Sequence, residues 1–106
     1  MNEKLLEQAI AWRQEIHQYP ETALKEINTS KYIADKLRSL GIEVFENIGG
    51  TGVIGKLVKG NGNKSVGFRA DMDGLPIQEV NTFEYKSKND NAMHACGHDG
   101  HMTMVL

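Results

Sequence analysis

Apolar positions along the first third of the chain recur every three or four residues, and after Gly41 that period changes. From Glu3 to Gln18, the residues Leu5, Leu6, Ala9, Ile10, Trp12 and Ile16 share one face of a helix. Pro20 ends this helix, because the residue before a proline avoids the helical region. A second helix is predicted over Glu21–Leu40, with Leu24, Ile27, Tyr32, Ile33, Leu37 and Leu40 inward. Asn28-Thr29-Ser30 weakens its middle, and Gly41 is its stop signal. Ile42–Glu46 alternates and is rich in β-formers, which predicts a strand, and Gly52–Lys59 predicts a second. Gly60-Asn61-Gly62-Asn63 reads as a turn leading into a third strand, Lys64–Ala70. Residues 77–92 are polar and loop-like, with a short strand expected near Phe83–Tyr85. From Gly100 to Leu106 the pattern is that of the first turns of a buried helix. The order predicts an α/β layer arrangement in one domain. The last helix has no C-terminal cap residue and no cationic last turn, so the chain is expected to be a segment of a longer protein.

Composition narrows the partners. The 106 residues are 40% apolar and 25% charged, which suits a globular fold. Twelve Lys and Arg against fourteen Asp and Glu give a net charge of −2, with no basic run. That balance points to neither nucleic acid nor an anionic membrane as partner. No window nears the roughly 18 apolar residues of a membrane span. The start, Met1-Asn2-Glu3-Lys4-Leu5-Leu6-Glu7, lacks the basic and apolar regions of a signal peptide. The lone Cys96 cannot form an internal disulfide, so the expected location is the cytoplasm.

The chemistry gathers near residue 100. His94, Cys96, His98, Asp99 and His101 fall within eight positions. Thiolate and imidazole are transition-metal ligands, and a carboxylate can ligate or orient them. Gly97 and Gly100 allow the backbone to bend so that these side chains converge. A zinc-type site needs about four protein ligands, or three plus water, and this cluster supplies two or three. The competing reading is a polar loop with a small buried cysteine and surface histidines. A nucleophilic Cys96 would need a base held by a third group and an oxyanion hole, and nothing in the chain marks either.

Two carboxylates, Asp71 and Asp73, leave the end of the third predicted strand, where α/β sheets place ligand-binding groups. They could ligate a metal or fix the tautomer of a ligating histidine. Spacing alone favours an Asp-Gly turn with Asp71 paired to Arg69. Gly50-Thr51-Gly52-Val53-Ile54-Gly55 fits a dinucleotide fingerprint, but the stretch continues as a strand, whereas the fingerprint must open a helix. His17 reads as a helix C-terminal residue that favours the dipole and packs locally.

Three segments taken together carry a resemblance. They are Arg13…His17-Gln18-Tyr19-Pro20-Glu21, Phe68-Arg69-Ala70-Asp71-Met72-Asp73-Gly74-Leu75-Pro76 and Met93-His94-Ala95-Cys96-Gly97-His98-Asp99-Gly100-His101. In order and spacing the chain resembles the metal-dependent amidohydrolases that cleave N-acyl amino acids. That group includes hippurate hydrolases, plant auxin-conjugate hydrolases and N-acetyl-diaminopimelate deacetylases. Gln14 and Gly74 depart from its usual arginine and alanine.

The resemblance implies an α/β catalytic domain, with a mixed β-sheet flanked by helices as in dinuclear zinc-type aminopeptidases, and a separate lid and dimerisation domain. It implies that Cys96 and His98 are metal ligands. Asp73, with Asp71, would be a strand-end carboxylate beside the metals. Asp99 and His101 belong to the motif without being assigned ligands. Two divalent ions are implied, as zinc, manganese, nickel or cobalt. The general-base glutamate, a glutamate ligand and two histidine ligands would lie beyond residue 106. These 106 residues would then be part of the catalytic domain, with no catalytic residue of their own and inactive alone, and the full enzyme would cleave the amide bond of a small-molecule N-acyl amino acid substrate. The alternative is a free-standing domain that acts by association. Its contact surface would be Met102, Met104, Val105 and Leu106, and a homo-oligomer would share metals through Cys96 and His98.

Overall fold

Three helices and one hairpin make up the fold in the computed structural model, which describes residues 2–106. Helix α1 spans Glu3–Gln18, as the apolar spacing predicts. The Asn2 side chain accepts a hydrogen bond from the Lys4 backbone N–H at 2.9 Å and caps its start.

Helix α2 spans Ile27–Ser39, six residues shorter at its start than the pattern predicts. The segment before it is held by other bonds. Thr22 bridges to Gly74, and Leu24 adopts a left-handed backbone with φ 66°. The Glu21 carboxylate then reaches forward to the first turn of α2. It accepts from the Thr29 N–H at 2.6 Å, the Thr29 hydroxyl at 2.7 Å and the Asn28 N–H at 3.2 Å. Asn28-Thr29-Ser30 is therefore the capped start of a helix, not a weak middle. Leu24 and Ile27, expected inward, lie outside the helical stripe and are exposed.

Strand β1, Glu43–Ile48, pairs antiparallel with β2, Gly52–Lys56. The hairpin turns through Gly49 and Gly50, both with positive φ, and a bulge shifts the register between Phe45 and Ile48. Gly52 is required here: a Cβ would stand 2.4 Å from the Ile48 carbonyl oxygen. Leu37 of α2 packs over Gly55, where a Cβ would meet Leu37 Cδ1 at 3.2 Å. The three glycines of the fingerprint-like stretch thus serve a turn, a close backbone approach and a helix–sheet contact.

The third predicted strand, Lys64–Ala70, forms no ladder, and the turn at residues 60–63 makes no hairpin. A strand is defined by a hydrogen-bonded neighbour. Among the described residues none pairs with it, and Val66 and Phe68 are each 81% exposed. Phe83–Tyr85 is a turn, not a strand. Helix α3 spans His98–Val105 and begins two residues before the expected Gly100.

The core lies where α1, α2 and α3 meet: Ile16, Ile33, Leu37 and Met102, with Val44, Val53 and Met72 packed against them. Met102, expected on a contact surface, is part of that core. No helix is long and apolar enough to cross a membrane among the described residues.

Candidate metal centre

Gly74 gathers the three motifs. Its N–H donates to the Glu21 carbonyl at 2.7 Å, and the neighbouring Leu75 exchanges hydrogen bonds with Met93 at 2.8 and 3.0 Å. A Cβ at Gly74 would stand 2.9 Å from Pro20 Cβ and 3.1 Å from the Met93 carbonyl. The Pro20-Glu21, Asp73-Gly74-Leu75 and Met93-His94 segments therefore run side by side.

Cys96 is a free, exposed thiol in the bend before α3. Gly97, with φ 84°, caps the helix in a left-handed conformation without a side-chain bond, and His98 is its first residue. His98 Nδ1 lies 2.8 Å from the Asp73 carbonyl oxygen and 3.1 Å from Asp73 Oδ1. Both partners are acceptors, so Nδ1 carries the proton and donates. Nε2 is left with its lone pair, the arrangement in which a histidine binds a metal. His101, one turn on, is exposed, with its ring 5.8 Å from that of His98.

The remaining candidates point elsewhere. Asp71 pairs with the exposed Arg69 guanidinium. Asp99, only 1% exposed, turns inward: its Oδ2 accepts from His17 Nδ1 at 2.8 Å and from Arg13 Nε at 3.1 Å. His17 is not locally packed, as the sequence suggests. It is buried between two carboxylates, with Nε2 3.0 Å from Glu79 Oε1. Glu79 also accepts from the Ser87 N–H at 2.7 Å and the Asn81 amide at 2.8 Å.

Burial pushes the Glu79 carboxyl up, but hydrogen bonds from Asn81, Ser87 and His17 outweigh it and hold the group below the ordinary carboxylate range. Asp99 follows the same pattern: burial raises it, while the bonds from His17 and the Gly100 N–H and the Arg13 charge bring it below. Ionised carboxylates only accept, so His17 Nδ1 donates to Asp99, while Nε2 faces the Glu79 carboxylate.

His94 lies beside this network, its ring 6.4 Å from that of His17. Burial lowers its proton affinity, so the ring stays neutral. Neither of its nitrogens has a hydrogen-bond partner among the described residues.

Sequence reasoning did not find the roles of Arg13, His17 and Glu79. Arg13 and His17 stand four apart on α1, a spacing that puts them on one face, and this was the available signal. Glu79 lies in a polar loop that carries none.

The donor set fits a divalent transition metal in part. Cys96 Sγ and His98 Nε2 are suitable and uncommitted, and Asp73 orients the imidazole. Among the described residues no group of three or more His, Cys, Asp or Glu side chains is gathered as a metal site would need. Two protein ligands fall short of the usual three or four.

Residues 67–106 match the description "Peptidase family M20/M25/M40". The chain is 55% identical over 94 residues to a hippurate hydrolase of Campylobacter jejuni, covering 89% of this chain and 24% of that protein. It is 45% identical over 97 residues to an N-acyl-L-amino acid amidohydrolase of Geobacillus stearothermophilus, covering 92% and 26%. Among solved structures, a dinuclear metal binding peptidase from the M20 family of Bacillus subtilis superposes with a TM-score of 0.85 at 35% identity, covering 96% of this chain and 29% of that one. The chain spans about a quarter of the length of the curated relatives it matches.

Proposed function

We propose, from the match of residues 67–106 to peptidase family M20/M25/M40 and the likeness of nearly the whole chain to part of its relatives, that the chain supplies part of the two-metal centre of a hydrolase acting on the amide bond of N-acyl amino acids. One observation carries the reading: His98 Nδ1 is taken up by both acceptors of Asp73, so Nε2 is left uncommitted for a metal, two positions along the chain from the exposed Cys96 thiol. The names of the relatives support the substrate class, and the likeness to the dinuclear metal binding peptidase of B. subtilis supports a two-metal site.

In this reading Cys96 and His98 hold the metal and Asp73 orients His98. A bound divalent ion supplies a water activated at neutral pH and polarises the amide carbonyl. Asp71 and His101 stand near the site without a ligand role, and Asp99 is turned away from it. Zinc, manganese, nickel or cobalt would suit the thiolate–imidazole pair. Residues 1–106 then form part of a catalytic domain, with the lid and dimerisation domain, the general-base glutamate and the other ligands outside them. The 106 residues alone do not turn over substrate, and the protein works in the cytoplasm.

A second reading rests on exposed apolar side chains. Leu57, Val58, Val66 and Phe68 form an uncovered set beside the sheet, which supports association with further polypeptide or a second copy.

The test is hydrolysis of hippurate and N-acetyl amino acids by the intact protein, before and after chelation. Activity lost on chelation and restored by a divalent metal supports the proposal. Metal-independent hydrolysis, or none on any N-acyl amino acid, sinks it.

A further inference from the structure

The buried ion network lies behind the metal site, and its geometry ties the two together. Helix α3 has eight residues, and its N-cap Gly97 makes no side-chain bond. A helix so short has little stability of its own, so tertiary anchors set its position and rotation. Successive residues on a helix point about 100° apart. His98 and Asp99 are successive. With Asp99 fixed inward, His98 is turned toward Asp73, and His101 follows on the same side.

What fixes Asp99 is α1. His17 Nδ1 and Arg13 Nε both donate to Asp99 Oδ2. Arg13 is half-exposed, whereas the His17 side chain is 5% exposed and the better-defined anchor. His17 is itself held from the other side, where Nε2 meets both Glu79 oxygens at 3.0 and 3.1 Å. Phe83 and Tyr85 close over the ring, with centroids at 5.9 and 5.8 Å.

We propose that His17 is a positioning residue for the metal centre: its Nδ1–H locks Asp99, which sets the rotation of α3 and so the direction in which His98 presents Nε2. The inference rests on the proposed metal role of His98. Of the two bonds His17 makes, the Nδ1 bond to Asp99 is the one that reaches the site, and the Nε2 bond to Glu79 holds the ring.

The two bonds can be separated. An asparagine amide nitrogen overlays histidine Nδ1, and a glutamine amide nitrogen overlays Nε2. The experiment is a Co(II) competition titration of the intact protein, with His17→Asn, His17→Gln, His17→Leu and His98→Asn compared with wild type. His17→Gln and His17→Leu should bind metal about 10- to 100-fold more weakly, the range seen when an outer partner of a ligand is lost. His17→Asn should bind close to wild type although it gives up the Glu79 bonds. A purely structural role for His17 would make His17→Asn and His17→Gln lose affinity alike, in step with their lost stability, and that result overturns the inference. So does wild-type affinity in a folded His17→Gln or His17→Leu. If His17→Leu does not fold, the Asn and Gln pair decides. His98→Asn reports on the premise: if it binds metal as wild type does, the metal reading falls and the inference with it. If His98→Asn weakens binding and His17→Gln does not, only the inference fails.

Discussion

His98 Nδ1 donates to two acceptors of one residue, the backbone carbonyl of Asp73 at 2.8 Å and its Oδ1 at 3.1 Å. The pair joins the first residue of α3 to the segment that follows residues 64–70, 25 positions earlier in the chain. Replacing Asp73 with alanine removes the carboxylate and leaves the carbonyl. The tautomer is still held, and the ring loses one orienting charge. The expected result is metal affinity lower by about tenfold, the small end of the range for such partners. Competition titration with a chelating dye measures it.

The Glu21 carboxylate caps α2 from outside the helix, through the Asn28 and Thr29 N–H groups. Glu21→Ala should cost about 1 kcal/mol, the usual value of a lost N-cap. In a domain of this size that lowers the melting temperature by about 4–8 °C. A thermal melt followed by circular dichroism reads it directly.

Gly52 has no room for a side chain, since a Cβ would stand 2.4 Å from the Ile48 carbonyl oxygen. Gly52→Ala must move backbone, and a loss of about 1–3 kcal/mol is expected, as for other overpacked sites. Gly62→Ala, with open space around it, should change little. Urea midpoints of the two variants make the comparison.

Acid should weaken the fold through the buried network. Glu79 and Asp99 both lie below the ordinary carboxylate range in the folded state. As pH falls, the unfolded chain takes up protons at these groups before the folded chain does, so folding stability declines with acidification. Their contribution is complete above the ordinary range and is lost between about pH 5 and the depressed folded values. Unfolding by urea across this window should show the slope, and Glu79→Gln should make it shallower. A slope unchanged by Glu79→Gln would mean that another group carries the acid sensitivity.

Local signals were enough for some elements and not for others. Helix α1 was legible because its apolar stripe and terminating Pro20 lie within the helix or next to it. The start of α2 was not, because Glu21 acts across a turn, and Leu24 continues the apolar period where the helix itself does not run. Residues 64–70 look like a strand because composition reports β-propensity, while pairing depends on a neighbour that composition does not specify. In the candidate site, Cys96, His98 and Asp73 were legible through motif resemblance. The partners of His17 are 62 and 82 positions away, so its place between two buried carboxylates could be seen only in three dimensions.

The central claim is that a divalent metal is bound by Cys96 Sγ and His98 Nε2. Electronic absorption of the Co(II)-substituted intact protein tests it most directly, because a cobalt–thiolate bond gives an intense near-ultraviolet charge-transfer band that nitrogen and oxygen ligands do not. The account predicts that band in the wild type, its loss in Cys96→Ser, and weakened cobalt binding in His98→Asn. Stoichiometric cobalt binding without the band, unchanged in both variants, would contradict it.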